Sequence, residues 1–235
     1  MTLAKAMILA AGRGERMRPL TDRTPKPLLE VRGKPLMQYH VEALQRAGHR
    51  DIVINTAWLE GQIVERFGAP RFPGLRFSRE GADFGGALET AGGIARALPL
   101  LDDVFWVVGG DVHVPAFGFD ESMRDRFAAS GRLAHIVMVP NPVHNLKGDF
   151  ALRPDGTVTR EGTPRFTYST IGLYRKRFFG SLPAGNPQGL KAPMLPLMLA
   201  AIESGQMSGE LHTGPWTDVG TPERLAALNA ATPVQ

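Results

Sequence analysis

AKAMILAAGRGERMRPLTDRTPKPL, Ala4 to Leu28, decides how the rest of the chain is read. Ala4 to Leu9 is a short, largely apolar run that suits a strand buried on both faces. The segment after it is no simple turn, because Leu9 to Leu28 holds two glycines, four arginines, one lysine and three prolines. Gly12 and Gly14 let backbone N–H groups come close to an anion. Arg13, Arg16, Arg18 and Lys26 would repel one another without a polyanion among them. Pro19, Pro25 and Pro27 stiffen the segment, so ordering it costs less on binding. A triphosphate meets all of these conditions.

Outward from that stretch, Pro35 opens PLMQYHVEALQRAGH, in which Leu36, Tyr39, Ala43, Leu44 and Ala47 recur at helical spacing and Gly48 is placed to end the helix. Asp51 to Thr56 reads as a strand, Leu59 to Phe67 as a short helix, Leu75 to Glu80 as a strand and Glu89 to Leu98 as a helix. Asp103 to Gly109 is a strongly apolar strand running into Gly110-Asp111. Next come a helix over Asp120 to Ser130 and a strand over Ala134 to Pro140. Strands alternating with helices to about residue 140 predict parallel βαβ units.

The pattern then changes. Gly148 to Glu161 predicts a hairpin around Pro154-Asp155-Gly156, since Asp-Gly tolerates the positive φ of a tight turn. A strand over Phe166 to Lys176, an apolar helix over Pro193 to Ser204 and an amphipathic helix over Pro222 to Ala231 complete the chain. The expected fold is α/β: a Rossmann-like open mixed sheet flanked by helices, with added antiparallel strands. The expected organisation is a single domain over 1–235, with a core to about 140 and further elements from about 141 to 235.

Composition narrows the function classes. At 235 residues, 43% hydrophobic and 21% charged, the chain can bury a real core. It has no cysteine, which excludes a disulfide framework and thiolate metal sites. No apolar stretch approaches the roughly 20 residues a membrane helix needs, and the N-terminus lacks the form of a signal peptide. The cytoplasm is therefore the expected location. The net charge of +4 is concentrated between Arg13 and Lys26 without interleaved aromatics, which favours a local anion site over a nucleic-acid face. Oligomeric state stays open between a monomer and a small homo-oligomer.

Two familiar phosphate loops do not fit. A dinucleotide fingerprint needs a glycine where Met17 stands and an acidic residue where Asn55-Thr56 stand. A Walker loop needs Gly-Lys-Ser/Thr where Met17-Arg18-Pro19 stand. LAAGRGERMRPLTDRTPKPLLEVRGKPL, Leu9 to Leu36, instead closely resembles the opening of the sugar-phosphate nucleotidyltransferases. The resemblance continues through Gly110-Asp111 to Trp216-Thr217-Asp218-Val219-Gly220-Thr221 and so spans nearly the whole chain. Within that family the short length, LETAGG, NPVHNLKGDF and WTDVGTPERL look most like the bacterial members acting on N-acetylmuramic acid 1-phosphate.

The resemblance implies attack by a sugar 1-phosphate oxygen on the α-phosphorus of UTP, releasing pyrophosphate, as a step in cell-wall sugar recycling. Two anions must meet, so positioning and charge neutralisation supply the catalysis and no protein nucleophile is required. Arg16 matches the arginine cradling the β- and γ-phosphates, and Lys26 the lysine bridging the α-phosphate and the incoming phosphate. Ala11, Gly12, Gly14 and Glu15 complete the expected phosphate turn, with Gly110 beside it. Asp111 and Asp218 are the expected Mg²⁺ ligands, since Mg²⁺ takes one or two carboxylates plus phosphate oxygens and water. Glu80, Glu89 and Gly92 are expected at the base, although Glu89 would equally serve as a charge at a helix N-terminus. Asn141, Asp149 and Glu161 are expected at the sugar hydroxyls, with Lys191 a candidate phosphate contact.

Three departures bear on the substrate. Gly109 stands where muramate-type sequences tend to carry Asn. The segment from Gly81 to Ala87 is longer than usual, and Glu161-Gly162-Thr163-Pro164 lacks the lysine of the wider family's Glu-Lys-Pro. A guanylyl- or thymidylyltransferase acting on mannose or glucose 1-phosphate therefore stands as the enzymatic alternative. A nucleotide-sensing subunit on the same fold is the non-enzymatic one.

Overall fold

A computed structural model describes residues 4–230. Nine strands form one sheet: β1 (Ala4–Ala10), β2 (Ile52–Thr56), β3 (Leu75–Arg79), β4 (Leu101–Gly109), β5 (Ala134–Val139), β6 (Phe150–Leu152), β7 (Val158–Thr159), β8 (Arg165–Arg175) and β9 (Met207–Leu211). β3, β2, β1 and β4 lie side by side and run parallel. β8 then pairs antiparallel with β4, β5 antiparallel with β8, and β9 parallel with β5. The β6–β7 hairpin adds to the first residues of β8. This is the mixed sheet expected. β9 had no counterpart among the expected strands, because Met-Ser-Gly-Glu-Leu carries only weak alternation.

Alternation along the strands divides the core. Ala6, Ile8, Val104, Trp106 and Val108 face one side, while Met7, Phe105 and Val107 face the other. The first side is covered by α1 (Leu36–Arg46), α2 (Glu60–Phe67) and α5 (Glu121–Ser130), through Met37, Val41, Leu44, Ile63, Phe67 and Phe127. The second is covered by α4 (Glu89–Ala97) and α6 (Met194–Glu203), through Ala91, Ile94, Ala95, Met198 and Ala201. A short helix, α3 (Glu80–Phe84), occupies part of the longer-than-usual segment from Gly81 to Ala87.

A third, smaller cluster of Met17, Leu29, Val31, Leu36, Val219 and Leu225 lies beneath the arginine-rich segment. It joins that segment to α1 and to α7 (Pro222–Ala230), so the chain's last elements brace its first loop. Ala231, expected as the end of the closing helix, lies outside the described residues. Val112–His113 pairs antiparallel with Thr217–Asp218, a two-residue ribbon that draws the C-terminal segment to the end of β4. No helix among the described residues is long and apolar enough to cross a membrane.

Candidate active site

A cleft of about 430 Å³ opens along the carboxyl ends of β2, β1 and β4, where antiparallel β8 adds Thr170. That is the usual place for a ligand in an open α/β sheet, and the volume suits a nucleotide-sized one. The loop after β1 forms one wall. Gly14, at φ +70, turns the chain into a single 3-10 turn over Glu15–Met17. Its carbonyl accepts the Met17 N–H and the Thr21 hydroxyl, both at 2.9 Å. A Cβ there would stand 2.9 Å from Thr21 Cγ2, so the turn requires glycine.

The basic residues of this loop divide by partner. Arg13 donates to the Thr21 carbonyl at 2.9 Å and to Asp22 Oδ1 at 2.7 Å, with its guanidinium 3.8 Å from the centre of the Trp58 ring. Arg18 Nε donates to Asp22 Oδ1 at 2.9 Å. The Arg13 hydrogen bond holds the Asp22 carboxyl below the usual range. Arg16 lines the cleft, is exposed, and has no side-chain partner among the described residues. Lys26 is nearly enclosed, with 9% of its side chain exposed, and its Nζ donates to Asp111 Oδ2 at 2.8 Å. The structure thus brings Ala11, Gly12, Gly14, Glu15, Arg16, Lys26 and Asp111 to one cleft. Gly110 lies just behind it, its N–H donating to the Leu9 carbonyl at 2.8 Å.

The base-side residues are distributed differently from expectation. Glu89 lines the cleft, exposed and at φ +59. Glu80 does not: it is 0% exposed, Oε1 accepts Asn55 Nδ2 at 2.7 Å, and Oε2 accepts the Leu88 N–H at 2.8 Å. Burial raises its carboxyl pKa. Asn55 Oδ1 in turn accepts the Ala10 N–H at 2.9 Å. Glu80 therefore ties the ends of β1 and β2 to the turn before α4, with no oxygen left for a base edge. Gly92 is likewise withdrawn. Its N–H donates to the Ala192 carbonyl at 3.1 Å, and a Cβ would fall 2.5 Å from the Leu190 carbonyl oxygen, so this glycine serves packing.

The four expected sugar residues do not line this cleft. Asn141 donates to the Leu146 and Arg165 carbonyls and accepts the Thr167 hydroxyl. Asp149 accepts Asn145 Nδ2 and the Tyr168 N–H, one on each oxygen. Both side chains shape the hairpin's attachment to β8. Asp149 and Glu161 border a second concavity, shared with Lys147, Arg160, Leu195 and Leu199. Lys191 is exposed, in the segment whose next residue, Ala192, caps α4.

The ribbon brings the two metal candidates' backbones together, with the Val219 N–H donating to the Asp111 carbonyl at 3.1 Å. The Asp218 carboxylate accepts Arg224 at 2.7 Å and lies 3.5 Å from His144 Nε2. Each aspartate keeps one carboxylate oxygen without a hydrogen bond among the described residues. No group of three or more His, Asp or Glu there could hold an ion by itself. Such a donor set fits a cation whose shell is completed by phosphate oxygens and water, which is the habit of Mg²⁺.

Asn55, Thr90, Gly109 and Thr170 also line the cleft. Thr90 belongs to the LETAGG segment expected at the base, whereas Asn55, Gly109 and Thr170 were assigned no ligand; for Asn55 the available signal was a polar residue closing an apolar strand. The chain belongs to the nucleotidyl transferase family, whose model matches residues 5–148. Over nearly its full length it is similar to the N-acetylmuramate alpha-1-phosphate uridylyltransferase of Neisseria meningitidis serogroup B, at 46% identity, covering 96% of this chain and 97% of the other. The Caulobacter vibrioides enzyme of the same name is 29% identical, with 96% and 95% covered. HddC from Yersinia pseudotuberculosis, solved with GMP-PN, has a TM-score of 0.71 at 18% identity, covering 97% of this chain and 98% of that one. That likeness speaks for the fold.

Proposed function

We propose that this chain transfers a uridylyl group from UTP to N-acetylmuramic acid 1-phosphate, giving a UDP-sugar and pyrophosphate, in the cytoplasm and in the service of cell-wall sugar recycling. The observation that carries the substrate choice is the 46% identity, over 96% of the chain, to a uridylyltransferase for that sugar phosphate. The geometry of the cleft supports the reaction class.

In this reading the Gly12–Gly14 backbone and the free Arg16 guanidinium receive the β- and γ-phosphates, which need donors without competing partners. Lys26, held in place by Asp111 and shielded from water, supplies fixed positive charge where negative charge grows on the α-phosphorus. Its low exposure strengthens that interaction relative to a solvated lysine. Asp111 and Asp218 would hold Mg²⁺, which when bound neutralises phosphate charge. Glu80 acts behind the cleft through Asn55, which lines it, keeping the phosphate turn and the base-side turn at a constant separation. The incoming phosphate oxygen is already an anion, so the attack needs no general base from the protein.

Mass spectrometry of products formed from mixed triphosphates and mixed sugar 1-phosphates tests this directly. UDP-N-acetylmuramic acid is the expected dominant product. A GDP- or dTDP-sugar in its place would move the assignment to the other nucleotide, and triphosphate binding without any product would favour a sensing role.

A further inference from the structure

Thr170 is the only β-branched residue with positive φ among the described residues, at +66. A β-branched side chain resists that region, so surrounding contacts must hold it there. They are visible. Ser169 Oγ donates to the Val137 carbonyl at 2.7 Å and accepts the Ile171 N–H at 3.2 Å, while the Ser169 carbonyl accepts the Trp216 indole N–H at 3.1 Å. The β5–β8 pairing shifts register at this point, between Tyr168 and Ile171. The kink turns Thr170 into the cleft. Its Oγ1 is nevertheless shielded from solvent and has no hydrogen-bond partner among the described residues.

A strained backbone and an unsatisfied buried hydroxyl are both unfavourable in the free protein. A ligand that accepts or donates at Oγ1 accounts for the second and gives a reason for the first. Gly109 lets the Thr170 and Asp111 side chains come close: because Ile171 pairs with Val108, Thr170 stands across from Gly109. A Cβ on Gly109 would lie 2.6 Å from Thr170 Oγ1 and 2.9 Å from Asp111 Oδ1. The cleft runs from Asn55 at the end of β2, past β1 and Asp111, to Thr170 on β8. With the nucleotide side at Asn55 and Glu89, Thr170 falls at the acceptor end.

We propose that Thr170 is a specificity-determining residue whose hydroxyl hydrogen-bonds the sugar 1-phosphate beside Asp111. This rests on the uridylyltransferase reading above. T170V keeps the shape and removes the hydroxyl, and T170S keeps the hydroxyl. T170V is expected to raise KM for the sugar 1-phosphate about tenfold and to leave KM for UTP within about twofold. T170S is expected to restore the first. The unfolding temperature of T170V should not fall, since the methyl replaces a hydroxyl that has no partner among the described residues.

An unchanged KM for the sugar phosphate in T170V overturns the proposal. So does a parallel rise in both KM values with a lowered unfolding temperature, which would mark a structural hydroxyl. If the wild-type protein uses another triphosphate or another sugar phosphate, the uridylyltransferase reading fails. The valine–serine contrast on that acceptor still decides the role of Thr170. Without turnover, equilibrium dialysis of a sugar 1-phosphate panel in the presence of UTP reads the same contact, with binding by T170V about tenfold weaker. Equal binding by both forms, or none by either, overturns it.

Discussion

Five positive side chains stand within fourteen residues of one another, yet Arg13 and Arg16 among them do different work because their partners differ. Arg13 is a strut, fixed by a backbone carbonyl, Asp22 and the face of Trp58. Arg16 has none of these ties and faces the cleft. The two are therefore separable by experiment. R16A should lower kcat/KM about 100-fold or more, the scale of losing a transition-state donor. Its unfolding temperature should stay within about 1 °C of the parent, because no side-chain hydrogen bond or ion pair among the described residues is lost. R13A should instead destabilise by ~1–2 kcal/mol, from a cation–π contact and its hydrogen bonds. Steady-state kinetics and thermal unfolding on the two variants measure both effects, and a loss of stability in R16A would contradict the assignment.

At the scale of elements, the phosphate turn and helix α1 each depend on a single position. G14A forces a side chain onto a φ of +70 and to within 2.9 Å of Thr21, which should cost ~1–3 kcal/mol. Urea unfolding with an unchanged m-value checks this. In α1, His40 is buried, its Nε2–H donating to the Val112 carbonyl at 2.8 Å, and burial lowers its pKa from 6.5 to about 4. Between those values the unfolded chain binds the proton and the folded chain does not, so stability falls as pH falls through that window. A shift of that size corresponds to ~3 kcal/mol at most. Urea unfolding at pH 7 and pH 4.5 should show the loss in the parent. H40Q, which keeps an N–H donor and cannot titrate, should lose less over the same interval.

For the molecule as a whole, stability and chemistry draw on different parts. Three apolar clusters carry the fold, and no group of described residues could hold a metal unaided. Chelation with EDTA should therefore abolish turnover while moving the unfolding temperature by less than about 1 °C; a large drop would reveal a structural ion. UTP with Mg²⁺ should raise that temperature, by an amount set by its concentration over Kd. The strands up to β5, helices α1, α2, α4 and α5, and the phosphate turn were legible in the chain because their signals are local: apolar periodicity, glycine spacing and crowded charge. That Arg16, Lys26 and Asp111 share one cleft was legible for the same reason, through motif and position at a strand end. Side-chain commitment was not legible. Glu80 looked available for a base until the fold set Asn55 and the Leu88 N–H against it, and Asn141 and Asp149 looked available for a sugar until β8 claimed them. Thr170 became visible only when its hydroxyl proved to have no partner among the described residues. The sequence by itself settled which residues seek burial and which seek charge. Only the tertiary structure decided which polar groups find each other across long separations in the chain, and so which remain free for a ligand.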